Sequence, residues 1–315
     1  MRRACALLLS MLCAPLVGAA ALPTVVSTNL CADMLALSLA APAQRPGEVA
    51  VDQHDAGAVV GRELNRFLRQ PTRLGSALVR PLLWFVVFSA GFNNVFGVAI
   101  VPPYETYIEY KVYMVPGLLG MVALFNGMQS SLSMVYDREM GVMRLLLTAP
   151  LARGWLLAFK LLAGTCLSVL QMGVFLAIAW AFGVEVPLAN LPGLLIAMAC
   201  GATMLAALGL MLSVYVKQLE NFAGTMNFVI FPMFFISPAL YPLWKLEESG
   251  AWWLLKLAEW NPFTHAVEAM RYAMVGQFTA LSWSVVLGCG IVFFLLALWG
   301  YDPQRGWVKS KGGGG

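Results

Sequence analysis

From about residue 80 the chain alternates long apolar blocks with short charged stretches. Six apolar segments fall at about 80–97, 113–135, 156–182, 190–215, 223–243 and 281–301. Each is near the length that crosses the roughly 30 Å hydrocarbon core of a bilayer as a helix. Upstream the pattern differs: Val60, Leu64, Phe67 and Leu68 recur at helical spacing, with Arg62, Arg66 and Arg69 on the opposite side. That arrangement predicts an amphipathic helix over 59–79 lying in the membrane interface, its arginines meeting lipid phosphates, with Pro71 ending or kinking it. The predicted architecture is an all-α membrane unit of six transmembrane helices at 80–301, preceded by that interfacial helix and followed by a cytoplasmic tail at 302–315.

Composition supports bilayer contact as the source of this pattern. Hydrophobic residues make up 60% of the chain and charged residues 11%, whereas soluble domains average about 25% charged. The net charge of +4 is dispersed instead of forming one patch, so nucleic acid is excluded as a partner and the charge is read as a topology signal. Basic residues cluster at Arg62–Arg73, Arg138–Lys160 and Arg305–Lys311, while Lys111 stands alone in the first intervening loop and Glu185 in the third. Basic loops stay cytoplasmic, which places both ends of the six-helix unit inside.

The first 58 residues fit this topology poorly. Residues 1–21 resemble a secretory leader, with Arg2 and Arg3, an apolar run from Ala4 to Val17, and small residues Ala19, Ala20 and Ala21. The piece at 22–44 resembles the opening strand and helix of periplasmic binding proteins of the siderophore and cobalamin type, and 45–58 reads as a linker. Cleavage after Ala21 would strand the arginine-rich helix outside. The expectation is therefore that residues 1 to about 50 are a chimaeric or misassigned start, the alternative being that Met1–Val17 stays uncleaved as an extra anchor.

Chemistry of the enzymatic kind is missing. The six cysteines form no C-x-x-C pair, and the two histidines, His54 and His265, have no spacing that suits zinc or a catalytic triad. No G-x-x-x-x-G-K-[ST] stretch cradles nucleotide phosphates. Few ionisable residues fall inside the apolar segments, which argues against a proton-coupled transporter.

The most informative stretch joins the second and third segments: VYDREMGVMRLLLTAPLAR, from Val135 to Arg153. Asp137, Arg138 and Glu139, with Arg144 further on, offer charges, and Val142, Met143, Leu145, Leu146 and Leu147 offer apolar anchors; Tyr136 opens it, Gly141 lies within it and Pro150 stops it. From charge alone it is equally a solvated loop that fixes topology. With MVPGLLGM at 114–121, FFISPALYPL at 234–243 and WNPFTHAVEAMR at 260–271, it resembles the ABC-2 type exporter permeases, the family of nodulation-factor, daunorubicin and polysaccharide exporters.

The resemblance runs through most of 62–301 and implies a function. Tyr136 to Pro150 would dock in a groove of a separate ABC ATPase subunit and transmit its closure. Two copies of this chain would form the path, meeting through the first and fifth spans, in a bacterial inner membrane. ATP and Mg would sit on the partner subunit, with no cofactor or metal in this chain. Lys217 and Glu220, between the fourth and fifth segments, form a second inner loop, which is equally a plain connector. Asn261, Pro262, Glu268 and Arg271 belong to a re-entrant outer segment at 244–280, where Glu268 and Arg271 are spaced to pair across one helical turn. The rival readings are a non-transporting membrane scaffold and an ion-coupled transporter.

Overall fold

The computed structural model describes residues 71–96, 98–99, 103–104, 108–139, 153–185, 188–216 and 218–300. Helix α1 (Pro71–Phe96) is followed by two short antiparallel strands, β1 (Val98–Ala99) and β2 (Ile108–Glu109), then α2 (Tyr110–Glu139), α3 (Arg153–Ala181) and α4 (Leu191–Tyr215). After these come α5 (Leu219–Phe235), the short helices α6 (Leu243–Glu248), α7 (Trp252–Trp260) and α8 (Pro262–Met274), and finally α9 (Ala280–Gly300). The arginines of the expected interfacial helix and the tail lie outside the described residues.

Two helices of similar mean hydropathy, α4 and α9, end in opposite environments. Helix α4 packs against α2, α3, α8 and α9, and 67% of its apolar window is buried, against 17% for α9. An all-round apolar helix has no polar face to turn to water, so both settings are compatible with its sequence. Small residues put α4 at the centre: a Cβ on Gly209 would lie 2.6 Å from the carbonyl oxygen of Gly127, and one on Gly127 2.9 Å from the backbone of Leu205 and Ala206. The α2 and α4 backbones therefore touch, the small-residue mode of packing that serves helices in lipid. Helix α9 instead turns Leu281, Leu287, Ile291 and Leu295 outward.

Helix α1 wedges between its neighbours through aromatic rings. Phe85 meets Phe175 and Phe182 edge-on at 6.1 and 6.0 Å, while Trp84 stands 5.9 Å from Phe234 and from Phe235 of α5. Arg80, beside Pro81, lays its guanidinium 3.8 Å from the centre of the Phe125 ring on α2, which gives the cation an electrostatic partner in an apolar setting.

Helix runs without interruption from Pro71 to Phe96 and so crosses the boundary placed near residue 80, while the stretch that Pro71 was expected to end or kink lies outside the described residues. One expectation is revised. The fifth apolar segment does not run to 243. Its helix has 17 residues and ends at Phe235, about 25 Å of rise at 1.5 Å per residue. Pro232 removes an amide donor, and Ser237 and Tyr241, each preceding a proline, are biased away from helix. Among the described residues four helices are long and apolar enough to cross a bilayer: Tyr110–Tyr136, Leu157–Ala181, Leu191–Tyr215 and Ala280–Gly300.

Candidate functional site

The expected ATPase-facing segment begins on the last turn of α2. Tyr136 to Glu139 are helical, while Gly141, Arg144, Leu147 and Pro150 lie outside the described residues. Its two flanks are held together beneath it. Met134 of α2, Leu157 of α3, Leu210 and Val214 of α4 and Ala297 of α9 form one buried cluster, and the Ser213 hydroxyl donates to the Met134 sulfur at 3.7 Å. The ends of α2 and α3 that flank the segment are thereby parts of one close-packed cluster.

The same end of α2 reaches the second inner loop. Oε1 of Glu139 accepts the backbone N–H of Leu219, the first residue of α5, at 3.0 Å. Glu220 is exposed in the first turn of α5, and Lys217 lies outside the described residues. The two segments expected on the inner side, read separately in the sequence, thus touch through Glu139, a residue assigned to the first.

At the opposite end, the turn at 236–242 is covered by side chains that answer its free carbonyls. A helix leaves its last four carbonyls without partners, and a buried carbonyl needs one. Asn261 supplies two: Nδ2 donates to Met233 at 2.7 Å and to Ile236 at 2.9 Å, while Oδ1 accepts from Phe263 N at 3.0 Å and so caps α8, with Pro262 at its first position. Tyr113 donates to the carbonyl of Pro238 at 3.0 Å and Tyr110 to that of Leu240 at 2.7 Å. Arg271 donates through Nη2 to the same Pro238 oxygen, and its guanidinium lies 4.2 Å from the centre of the Tyr113 ring.

This arrangement corrects the expected pairing of Glu268 with Arg271. Arg271 is 4% exposed and turns to Pro238 and Tyr113, while Glu268 accepts from the Ser282 hydroxyl of α9 at 3.3 Å. Tyr104, in the connection between α1 and α2, is half-buried, and its buried hydroxyl has no hydrogen-bond partner among the described residues; burial pushes its phenol up, and Arg271 pulls in the opposite direction. His265 bonds the Glu259 carbonyl at 2.9 Å, and no group of metal-ligating residues assembles among the described residues. The expected short helices at 244–280 are α6, α7 and α8, and Trp252, Trp253 and Trp260 are all exposed on them. Sequence reasoning passed over Tyr110 and Tyr113; the available signal was a phenol at the outer edge of a span, an apolar body with a polar tip.

The model of the ABC-2 type transporter family matches residues 55–275. The chain belongs to that family. It is a permease subunit of an ABC transporter, and the matched region carries the segments at 136–150 and 217–220 and the turn at 236–242 with its Asn261 and Arg271 partners. A putative transport permease, ycf38, of Porphyra purpurea is 31% identical over 222 residues, 68% of this chain and 72% of that protein. The daunorubicin resistance ABC transporter permease DrrB1 of Streptomyces coeruleorubidus is 24% identical over 228 residues, 72% of this chain and 76% of its own. A probable multidrug ABC transporter permease, YbhR, of Escherichia coli K12 is 28% identical over 172 residues, covering 53% of this chain and 45% of that protein. The family match begins at residue 55, so the binding-protein-like piece at 22–44 falls outside it and gains no support.

Proposed function

We propose that this permease works as a homodimer in a bacterial inner membrane and exports substrate at the expense of ATP hydrolysed by separate ABC ATPase subunits. ATP and Mg belong to those subunits, and both ends of the six-helix unit are cytoplasmic. Family membership and the printed names of the relatives, one a daunorubicin resistance permease and one a probable multidrug permease, support export of an amphiphile. The observation that carries the reading is at the inner end. Met134 and Leu157, on the two flanks of the segment expected to dock the ATPase, share one buried cluster with α4 and α9, so a push on that segment reaches the helix that contacts most of the others. For the dimer, the resemblance names the first and fifth spans; Leu83 and Val87 of α1, with Phe228 and Phe231 of α5, are large apolar side chains left exposed on those helices.

The test is co-purification. A tagged chain, expressed in mild detergent with the ABC ATPase encoded beside it, is expected to retain that ATPase in a ratio of one to one, with two copies of each. Replacing Leu147 by Asp is expected to release the ATPase while the permease still inserts. Recovery of the permease without its ATPase would overturn the proposal.

A further inference from the structure

Helix α5 is held at its two ends in different ways. Its outer end is fixed by a network: Asn261 takes the carbonyls of Met233 and Ile236, Tyr113 and Arg271 that of Pro238, and Tyr110 that of Leu240. These donors come from α2 and α8, which pack against each other and against α4. Close contact adds to the hold, because a Cβ on Gly117 of α2 would lie 2.2 Å from the Ala239 oxygen.

The inner end has fewer polar partners, with Phe222 of its first turn fully buried. Gln218, at the N-cap position, makes no side-chain capping bond, and the first amide of the helix is met instead by Glu139 from α2 at 3.0 Å. A carboxylate there is favoured by the partial positive charge of a helix N-terminus. An exposed contact of this kind adds little to stability, so its consequence is positional. It ties the first residue of α5 to the residue at which the segment Tyr136–Pro150 leaves α2.

We propose that Glu139 is a positioning residue that transmits displacement of the ATPase-docking segment to the inner end of α5, so that the helix swings about its clamped outer turn. This inference rests on the reading of Tyr136–Pro150 as the ATPase contact. It assigns Glu139 to a bond within the permease, instead of to the docking surface. Changes between inward-open and outward-open states through rigid movement of helices require such a link between drive point and moving element.

The experiment uses the full chain in complex with its ABC ATPase, with the six native cysteines replaced by serine and a spin label on Ala223→Cys, an exposed position in the second turn of α5. The readout is the change in label mobility on adding a non-hydrolysable ATP analogue with Mg. The unsubstituted chain is expected to respond. Glu139→Ala is expected to retain the ATPase and to lose at least fivefold of the label response. Glu139→Gln, whose amide oxygen accepts the same N–H, is expected to keep more than half.

A full response in Glu139→Ala with the ATPase bound would overturn the link. So would a silent label in the unsubstituted complex, since α5 would then not be the element that moves. Loss of the ATPase from Glu139→Ala alone would return the residue to the docking surface. Failure of the unsubstituted chain to hold the ATPase would remove the functional reading, and this inference with it.

Discussion

Arg271 and Pro238 stand 33 residues apart in the chain, and the guanidinium of one meets the carbonyl of the other in a buried turn. Among the described residues no carboxylate pairs with this cation; it is neutralised in part by the Tyr113 ring and by the carbonyl dipole. Replacing Arg271 by Gln is expected to cost about 1.5–3 kcal/mol, the range for a hydrogen bond to a charged group. Tyr113→Phe is expected to cost about 0.5–1.5 kcal/mol, less because Arg271 still covers the same oxygen. Arg271→Lys is expected to fall near the Gln variant, since an ammonium loses the planar stack. Thermal unfolding followed by tryptophan fluorescence in detergent measures all three; an unchanged midpoint for Arg271→Gln would count against the assignment.

Asn261 separates into two roles by substitution. Its Oδ1 caps α8 and its Nδ2 covers two carbonyls at the end of α5. Asn261→Ser keeps a capping oxygen and loses the donors, whereas Asn261→Ala loses both. The alanine variant is expected to cost about 1 kcal/mol more than the serine variant, the typical worth of an N-cap. Hydrogen exchange over 236–242 should rise in both variants. Protection equal to that of the unsubstituted protein in Asn261→Ser would show that the donors do not hold the turn.

Much of this was legible from local chemistry. Asn-Pro at 261–262 is a capping residue followed by the residue suited to the first helical position, a local signal for the start of α8. The exposure of Trp252, Trp253 and Trp260 on α7 fits residues of the type enriched at membrane interfaces. The pairing of Glu268 with Arg271 was not. Spacing along a helix says that two side chains are within reach, but Arg271 is claimed by a turn 33 residues earlier and by Tyr113 on another helix. The length of the fifth span failed for a related reason. Hydropathy counts Ile236 to Leu243 as apolar, and only the prolines at 238 and 242 disclose that the backbone leaves the helix. Distant partners decided each of these cases.

The contact of α2 with α4 depends on the absence of side chains. A Cβ on Gly209 would press into Gly127 O and Ser131 Oγ, both at 2.6 Å, whereas Gly193 on the same helix has nothing within 4 Å. Gly209→Ala is therefore expected to destabilise by about 1–3 kcal/mol, the usual cost of overpacking. Gly193→Ala serves as the control for helix propensity and is expected to be neutral or stabilising. Equal midpoints for the two variants would mean that the helices part without cost.

The buried pair Asn126 and Gln171 offers a sharper test of how polar groups sit inside this membrane unit. Asn126 of α2 donates through Nδ2 to Oε1 of Gln171 on α3, and both are almost fully buried. Removing one partner leaves the other unsatisfied, at about 1–3 kcal/mol, while removing both with apolar groups of similar shape is near neutral. Asn126→Leu and Gln171→Met are each expected to lower the unfolding midpoint in detergent, and the double variant is expected to recover most of the loss. The coupling, the two single losses less that of the double variant, should therefore be at least about 1 kcal/mol. Strictly additive losses would show that the two side chains are satisfied independently. In that case the α2–α3 contact would rest on apolar packing, with the amide hydrogen bond adding nothing to it.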